Sequence, residues 1–287
     1  MMRTLTVKNI ALAWTALILV AVGVALPPPA LKAYVLSGRH LLALMAEKRT
    51  VPQTLEVQQA VSQLPDGDAP RQAASLRETL YFGFPDRFRS DTLGENYRRL
   101  SIRTPQDTLV VVNGQIRSGV PERFEIYKDL LMINSREALG TFLGQLGVDL
   151  DQTRLDRFAE HYCVVVGARD PLANTPQLWV QKDSFLPLRL TLPPSLLNPQ
   201  EGALEVRYLD WGQIEGAVYP MLIQIYRKHQ LFREMRVENL RADLPLDPLL
   251  FDAAALRATL PQWIPEPIDT SPALPMEAPG VGWPADR

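Results

Sequence analysis

The longest regular pattern in the chain runs from Gln177 to Phe251. It reads QLWVQKDSFLPLRLTLPP, then LEVRYLDWGQIEGAVYPMLIQIYRKHQLFREMRVENLRADLPLDPLLF. Apolar and polar positions alternate within it. Leu204, Val206 and Tyr208 fall on one side, Glu205 and Arg207 on the other. A period of two means a strand with one buried face. Four or five such segments follow one another across short turns, with no helical spacing between them. That succession predicts an antiparallel meander.

Upstream the period changes several times. Leu41, Leu42, Leu44 and Met45 form an apolar stripe that predicts a helix over 37–48, with Ser37 placed to cap it. Thr54 to Gln63 reads as a strand, and Pro65-Asp66-Gly67-Asp68 as a turn. Ser75 to Phe84 reads as a strand carrying Leu76, Leu80, Phe82 and Phe84 on one face. It turns at Pro85-Asp86-Arg87 and continues into another strand. Arg98–Arg103 and Thr108–Val112 form a further pair, and Asn113-Gly114 is the strongest hairpin signal in the chain. From Glu122 to Leu146 the spacing is helical, with a break near Ile133-Asn134 where Ser135 caps a second helix. Thr153 to Phe158 reads as one more short helical piece, with Asp156 and Glu160 able to face one way. Strands return at Tyr162. The order of helix, strands, helices, many strands predicts an α+β fold. Its form is an incomplete antiparallel β-barrel, a curved sheet with helices covering the concave face.

The two ends differ from the body. Arg3 and Lys8 precede an apolar run from Ile10 to Leu26, and no acidic residue occurs before Glu47. This is the pattern of an exported chain, with residues 1–33 a signal peptide or an N-terminal anchor. Cleavage sites end at Ala25 and Ala33. Residues 34–260 form the predicted folded domain. From Pro261 onward seven prolines in 27 residues predict an extended or disordered tail over 261–287. The expected compartment is the periplasm. The net charge of −2 becomes −5 once Arg3, Lys8 and Lys32 are removed, and no basic block marks a nucleic-acid partner. The single cysteine, Cys163, excludes an internal disulfide and lies among Val164, Val165 and Val166 as a small hydrophobe would.

Catalytic chemistry finds no support. His40, His161 and His229 stand apart, without a partner at metal-ligand spacing. No Gly-x-Ser-x-Gly elbow and no phosphate-cradling glycine loop occurs, so neither a catalytic residue, a metal nor a cofactor is expected. The apolar faces carry more. Leu80, Phe82, Phe84, Leu109, Val111, Val180, Leu188, Leu190, Val206, Tyr208, Met221, Ile223, Ile225, Met235 and Val237 fall on inward positions. An ordinary packed core and a hollow one leave the same pattern. A half-open barrel covered by helices has room for a cavity, and Met221 and Met235 would adapt to its contents.

The stretch Leu178-Trp179-Val180, Asp183, Leu186-Pro187-Leu188-Arg189 resembles the LolA-like superfamily of periplasmic lipoprotein carriers and their relatives. So do Tyr219-Pro220 before MLIQIY and Leu250-Phe251-Asp252 before a last helix. The resemblance covers about 75 residues, Gln177 to Phe251. Arg77 and Arg87 are candidates for that family's early arginine. The resemblance implies a non-covalent carrier of lipid acyl chains or lipoproteins in the cell envelope, with the fifteen apolar positions lining its cavity and 122–146 as a lid. It also admits a sensor or scaffold of the same fold that acts through a membrane-protein partner.

Overall fold

The computed structural model describes residues 35–65, 73–117, 122–195 and 199–260. The expected signal or anchor segment, the proline-rich tail and the core of the Pro65–Asp68 turn lie outside the described residues.

Thirteen strands form one sheet. They are β1 (Thr54–Gln63), β2 (Ala74–Gly83), β3 (Arg87–Leu93), β4 (Arg98–Arg103), β5 (Thr108–Val112), β6 (Gln115–Arg117) and β7 (Thr153–Phe158). The others are β8 (His161–Val166), β9 (Gln177–Gln181), β10 (Pro187–Leu192), β11 (Leu204–Ile214), β12 (Ala217–Arg227) and β13 (Gln230–Ala242). Helix α1 (Gly38–Lys48) precedes the sheet. Helices α2 (Ile126–Met132) and α3 (Arg136–Gln145) lie between β6 and β7, and α4 (Ala253–Thr259) follows β13.

The strand order is β6-β5-β4-β3-β2-β1-β13-β12-β11-β10-β9-β8-β7, with every described pairing antiparallel. All neighbours but one are consecutive in sequence. The exception is β1 against β13, where Leu55 opposes Ala242 and Val61 opposes Met235. The edges β6 and β7 do not meet, so the sheet is an unclosed barrel with helices, the α+β class the pattern predicts. Three hairpins turn on consecutive residues of positive φ: Asn113 (50°) with Gly114 (80°), Glu215 (50°) with Gly216 (83°), and Lys228 (48°) with His229 (66°). That conformation matches the twist of paired strands.

Helix α1 begins where Ser37 accepts a hydrogen bond from the His40 amide. Its first residue is glycine for a packing reason: a Cβ on Gly38 would stand 2.4 Å from the Leu150 carbonyl oxygen and 3.0 Å from a Val166 methyl. Ser135 caps α3 through the Ala138 amide. Helix α2 has only seven residues, too few to persist alone. Burial holds it: Tyr127, Leu130 and Leu131 are each at most 3% exposed. Each such side chain contributes roughly 1.5–3 kcal/mol on leaving water.

Thr153–Phe158 is a strand, not the helical piece the pattern suggests. Phe158 opposes His161 and Thr153 opposes Val166, so the segment is the outer arm of a hairpin with β8. Six residues with alternating charge carry little helical preference of their own, and cross-strand pairing decides. Asp156 and Glu160 do not form a carboxylate pair: Asp156 takes Arg154 at 3.2 Å and Glu160 takes Arg157 at 2.9 Å.

Candidate functional site

The concave face is identified by α2, which lies against it. β2 carries Leu76, Glu78, Leu80 and Phe82 at period two, so a carboxylate sits in an apolar row. Lys128 of α2 reaches Glu78 at 2.9 Å and Arg233 of β13 reaches it at 3.2 Å. Ser90 Oγ donates to it at 2.5 Å and Gln59 Nε2 at 2.8 Å. Burial alone would raise this carboxyl. Lys128 and Arg233 outweigh burial and hold it well below the usual carboxylate range. Two further pairs tie the same helical segment to β4: Arg99 with Glu125 at 2.5 Å, both 8% exposed, and Arg103 with Asp129.

Arg49, the residue that ends α1, closes the other end of α2. Its guanidinium donates to the carbonyls of Leu130 (2.9 Å), Leu131 (2.5 Å) and Ile133 (3.1 Å). The last carbonyls of a helix lack partners within it, and a cation there also meets the negative end of the helix dipole. Burial brings the Arg49 pKa down to about 10. The Tyr208 hydroxyl donates to the Tyr127 carbonyl at 3.3 Å, so β11 holds the helix as well.

Nine of the fifteen predicted inward residues meet on this face. Leu80, Phe82, Val180, Leu190, Val206, Tyr208, Ile223, Ile225 and Met235 are all 0% exposed and share it by register. Phe84 is half-buried and stacks on Phe82 with ring centroids 5.7 Å apart. Met221 is half-buried and packs against Gly212, and Val237 is half-buried opposite Gln59. Leu109, Val111 and Leu188 lie on the convex face. Ser101 opposes Ser90, which binds Glu78 inside, so Ile102 and its partner Leu109 face outward. There Ile102, Leu109 and Val111 pack under Ala253, Leu256 and Leu260, in and just after α4. Leu188 sits at a register shift between Pro187 and Arg189 and joins Cys163, Val165 and Trp179.

Beside the braced helix lies an open groove of about 630 Å³. Met132 and Ile133 from the end of α2, Ala138 and Phe142 from α3, and Pro85 and Pro105 from two sheet turns line it. Arg103 and Asp129 border it. Burial raises the Asp129 carboxyl, and Arg103 beside it opposes the rise. A second cleft of about 720 Å³, bordered by Tyr97, Arg99, Glu122 and Arg233, is more polar. Burial raises the Glu122 carboxyl there. None of the fifteen predicted residues lines either space. The groove residues escape a period-two reading because they come from helices and turns.

Among the described residues no group of three His, Cys, Asp or Glu is placed to hold a metal. His40, His161 and His229 are exposed, on α1, at the start of β8 and in the β12–β13 turn. No helix among the described residues is long and apolar enough to cross a membrane.

No family model and no curated protein matches the chain. Solved structures do. A DUF1329 family protein from Desulfovibrio piger is similar at 16% identity and TM-score 0.47, over 76% of this chain and 97% of that one. A putative outer membrane lipoprotein-sorting protein domain from Vibrio parahaemolyticus is similar at 9% identity and TM-score 0.47, over 77% and 98%. A LolA superfamily protein from Nitrosomonas europaea is similar at 14% identity and TM-score 0.43, over 73% and 96%.

Proposed function

We propose that this chain is a non-enzymatic envelope protein of the periplasm that binds lipid acyl chains or lipoproteins, and that the acyl chain lies in the groove beside α2 and α3. The observation that carries the reading is the apolar groove of about 630 Å³ formed by Pro85, Pro105, Met132, Ile133, Ala138 and Phe142. The space is of the size that takes a lipid-sized ligand. Its methionine and short aliphatic walls suit a flexible chain.

The groove places the ligand differently from a cavity beneath a lid. Lifting α2 means separating Lys128 from Glu78, Arg99 from Glu125 and Arg103 from Asp129. Breaking one buried pair costs about 3–5 kcal/mol. Two of these pairs are buried and together outweigh what burial of one acyl chain readily returns, while Arg103 with Asp129 is part-exposed and adds less. The ligand therefore enters beside the helix rather than under it.

The test is native mass spectrometry of the chain purified from envelope extract, with lipid extraction of the same sample. A stoichiometric acyl ligand that is lost in Phe142→Asp, with thermal stability unchanged, is the expected result. Full retention of the ligand in Phe142→Asp overturns the groove. An empty wild-type protein that refuses added phospholipid and lipopeptide overturns acyl binding altogether.

A scaffold reading has its own observation. Leu155, Tyr162 and Leu172, in and near β7–β9, are 42%, 67% and 90% exposed. Leu155 and Tyr162 belong to one hairpin, and large apolar side chains in solvent mark contact surfaces. Tyr162→Ser with Leu155→Ser would then weaken capture of a protein partner and leave lipid content unchanged.

A further inference from the structure

Strand β7 ends the sheet, and among the described residues only β8 pairs with it. An edge strand offers its outward N–H and C=O groups to any strand that fits. In an antiparallel ladder both backbone groups of a residue point to the same side, and the side alternates along the strand. Two hydrogen bonds fix the phase. The Gly167 amide donates to the Gln152 carbonyl, so Gln152 faces β8. The Lys182 amide donates to the Tyr162 carbonyl, so Tyr162 faces β9, and Arg157 opposite it turns away from β8. Thr153, Leu155 and Arg157 therefore present their amides and carbonyls to the open edge. The Arg157 amide meets an exposed local acceptor, Asp156 Oδ1 at 2.8 Å. The other edge, β6, has three residues and offers less.

The side chains of this strand decide which partner fits. Leu155 opposes Val164 and shares its concave face, and it is 42% exposed. Arg154 and Asp156 fall on the convex face. Backbone bonds between two β7 strands need outward residues opposite outward residues, which a two-fold axis at any residue of the strand provides. An axis at Arg154 or Arg157 sets that arginine against itself, and one at Asp156 sets Asp156 against itself. An axis at either end residue pairs almost nothing. An axis at Leu155 sets Leu155 against Leu155, each Arg154 against an Asp156, and each Thr153 against an Arg157. Like charges directly opposite destabilise a ladder, and opposite charges support it. Arg154 rests over the Trp179 ring at 5.0 Å and need not move. Charges along an edge ordinarily keep copies apart. In the order Thr-Arg-Leu-Asp-Arg they select one register instead.

We infer that β7 is a self-association edge: a second copy of this chain pairs with it antiparallel about a two-fold axis at Leu155, joining two thirteen-stranded sheets into one. Each copy brings the amides and carbonyls of Thr153, Leu155 and Arg157 to the contact. The Arg157 amide exchanges Asp156 Oδ1 for the Thr153 carbonyl of the second copy. Leu155 of each copy covers the other on the concave side. One short strand per copy buries less than the roughly 800 Å² per partner of a standard interface, so the association is weak and concentration-dependent. It does not depend on acyl binding.

The experiment is disulfide trapping of the full chain in a non-ionic detergent, with Leu155→Cys, Thr153→Cys and Arg157→Cys made singly and oxidised by copper phenanthroline. A disulfide needs Cα atoms within about 7 Å. In the inferred register the two residues at 155 lie about 5.5 Å apart, as opposite residues do. The two at 153, and the two at 157, lie about 14 Å apart along the strands. Leu155→Cys is expected to form a covalent dimer. Thr153→Cys and Arg157→Cys should each fail alone and cross-link when mixed. The wild type is the control, because Cys163 is 0% exposed. Leu155→Pro removes an outward N–H and leaves the ladder to β8 intact. In sedimentation it should weaken the wild-type dimer at least about tenfold with thermal stability unchanged. Equal cross-linking at all three positions overturns the register, and with it the inference. Leu155→Cys that links to a different protein in envelope extract, and never to itself, overturns the second copy and makes the occupant a foreign strand. The cysteine pattern decides the matter even if the proline variant does not fold.

Discussion

Glu78 Oε1 and Lys128 Nζ lie 2.9 Å apart between sheet and helix, with their side chains 1% and 3% exposed. The pair connects the fifth residue of a ten-residue strand to a seven-residue helix that cannot stand alone. Arg233, at 3.2 Å from the same carboxylate, adds β13 to the connection. Glu78→Gln leaves two buried cations with no counter-ion. The expected cost is about 3–5 kcal/mol in urea unfolding. Replacing all three by apolar residues, with Glu78→Leu, Lys128→Met and Arg233→Met, should cost less than the single change. A milder single than triple variant would contradict this account.

The same carboxylate sets an acid limb. Its folded pKa lies below the unfolded value of about 4.5, so the folded state binds fewer protons. The stabilisation is present in full above that unfolded value and drains away as pH falls through the folded one. Glu122 and Asp129 have raised values and act with the opposite sign. Their contribution weakens stability as pH rises through their own titrations. Unfolding free energy measured from pH 7 to pH 3 should fall steeply at the acid end for the wild type and more gently for Glu78→Gln. Parallel curves would remove Glu78 as the cause.

Arg49 bridges three carbonyls because a guanidinium is a planar fork of donors. Lysine, a point donor, cannot reach all three. Arg49→Lys is expected to lower stability by about 1–3 kcal/mol. Amide exchange should accelerate first in α2, before the strands respond. Uniform acceleration across the sheet would show that Arg49 holds more than that helix.

Cys163 is 0% exposed, and burial pushes its thiol up to about 11. The reactive species is the thiolate. Iodoacetamide at pH 7.5 should therefore leave the native chain unmodified over hours and label it fully in urea. Rapid labelling of the folded chain would place the β8–β9 convex cluster in solvent.

The strands were legible where one face is buried and the other wet. β11 alternates Leu204, Val206, Tyr208 against Glu205, Arg207, which marks its start at Leu204, while its end runs past Trp211 to Ile214. β5 reads Thr-Leu-Val-Val-Val, buried through Leu109, Val110 and Val111, so alternation cannot say which face is concave. The register with β4 and the covering α4 settle it. Leu188 is misplaced in the sequence reading by a register shift, which a period-two rule cannot contain. The ion cluster also leaves a signal in the sequence. Gln59 between Val57 and Val61, Glu78 between Leu76 and Leu80, and Arg233 before Met235 put polar groups at inward positions of three adjacent strands. Polar residues at three neighbouring core positions predict a buried network, because none would be tolerated singly.

The pairing of β1 with β13 also decides how the fold meets a pull. Both ends of the sheet's chain emerge at one side of one antiparallel ladder, where Leu55 opposes Ala242. Tension applied there loads its hydrogen bonds one after another, like a zip, rather than all together in shear. A protein held by its N-terminus and drawn by its C-terminus would open first along the middle of its sheet, at modest force, with the β2–β6 and β7–β12 halves still folded.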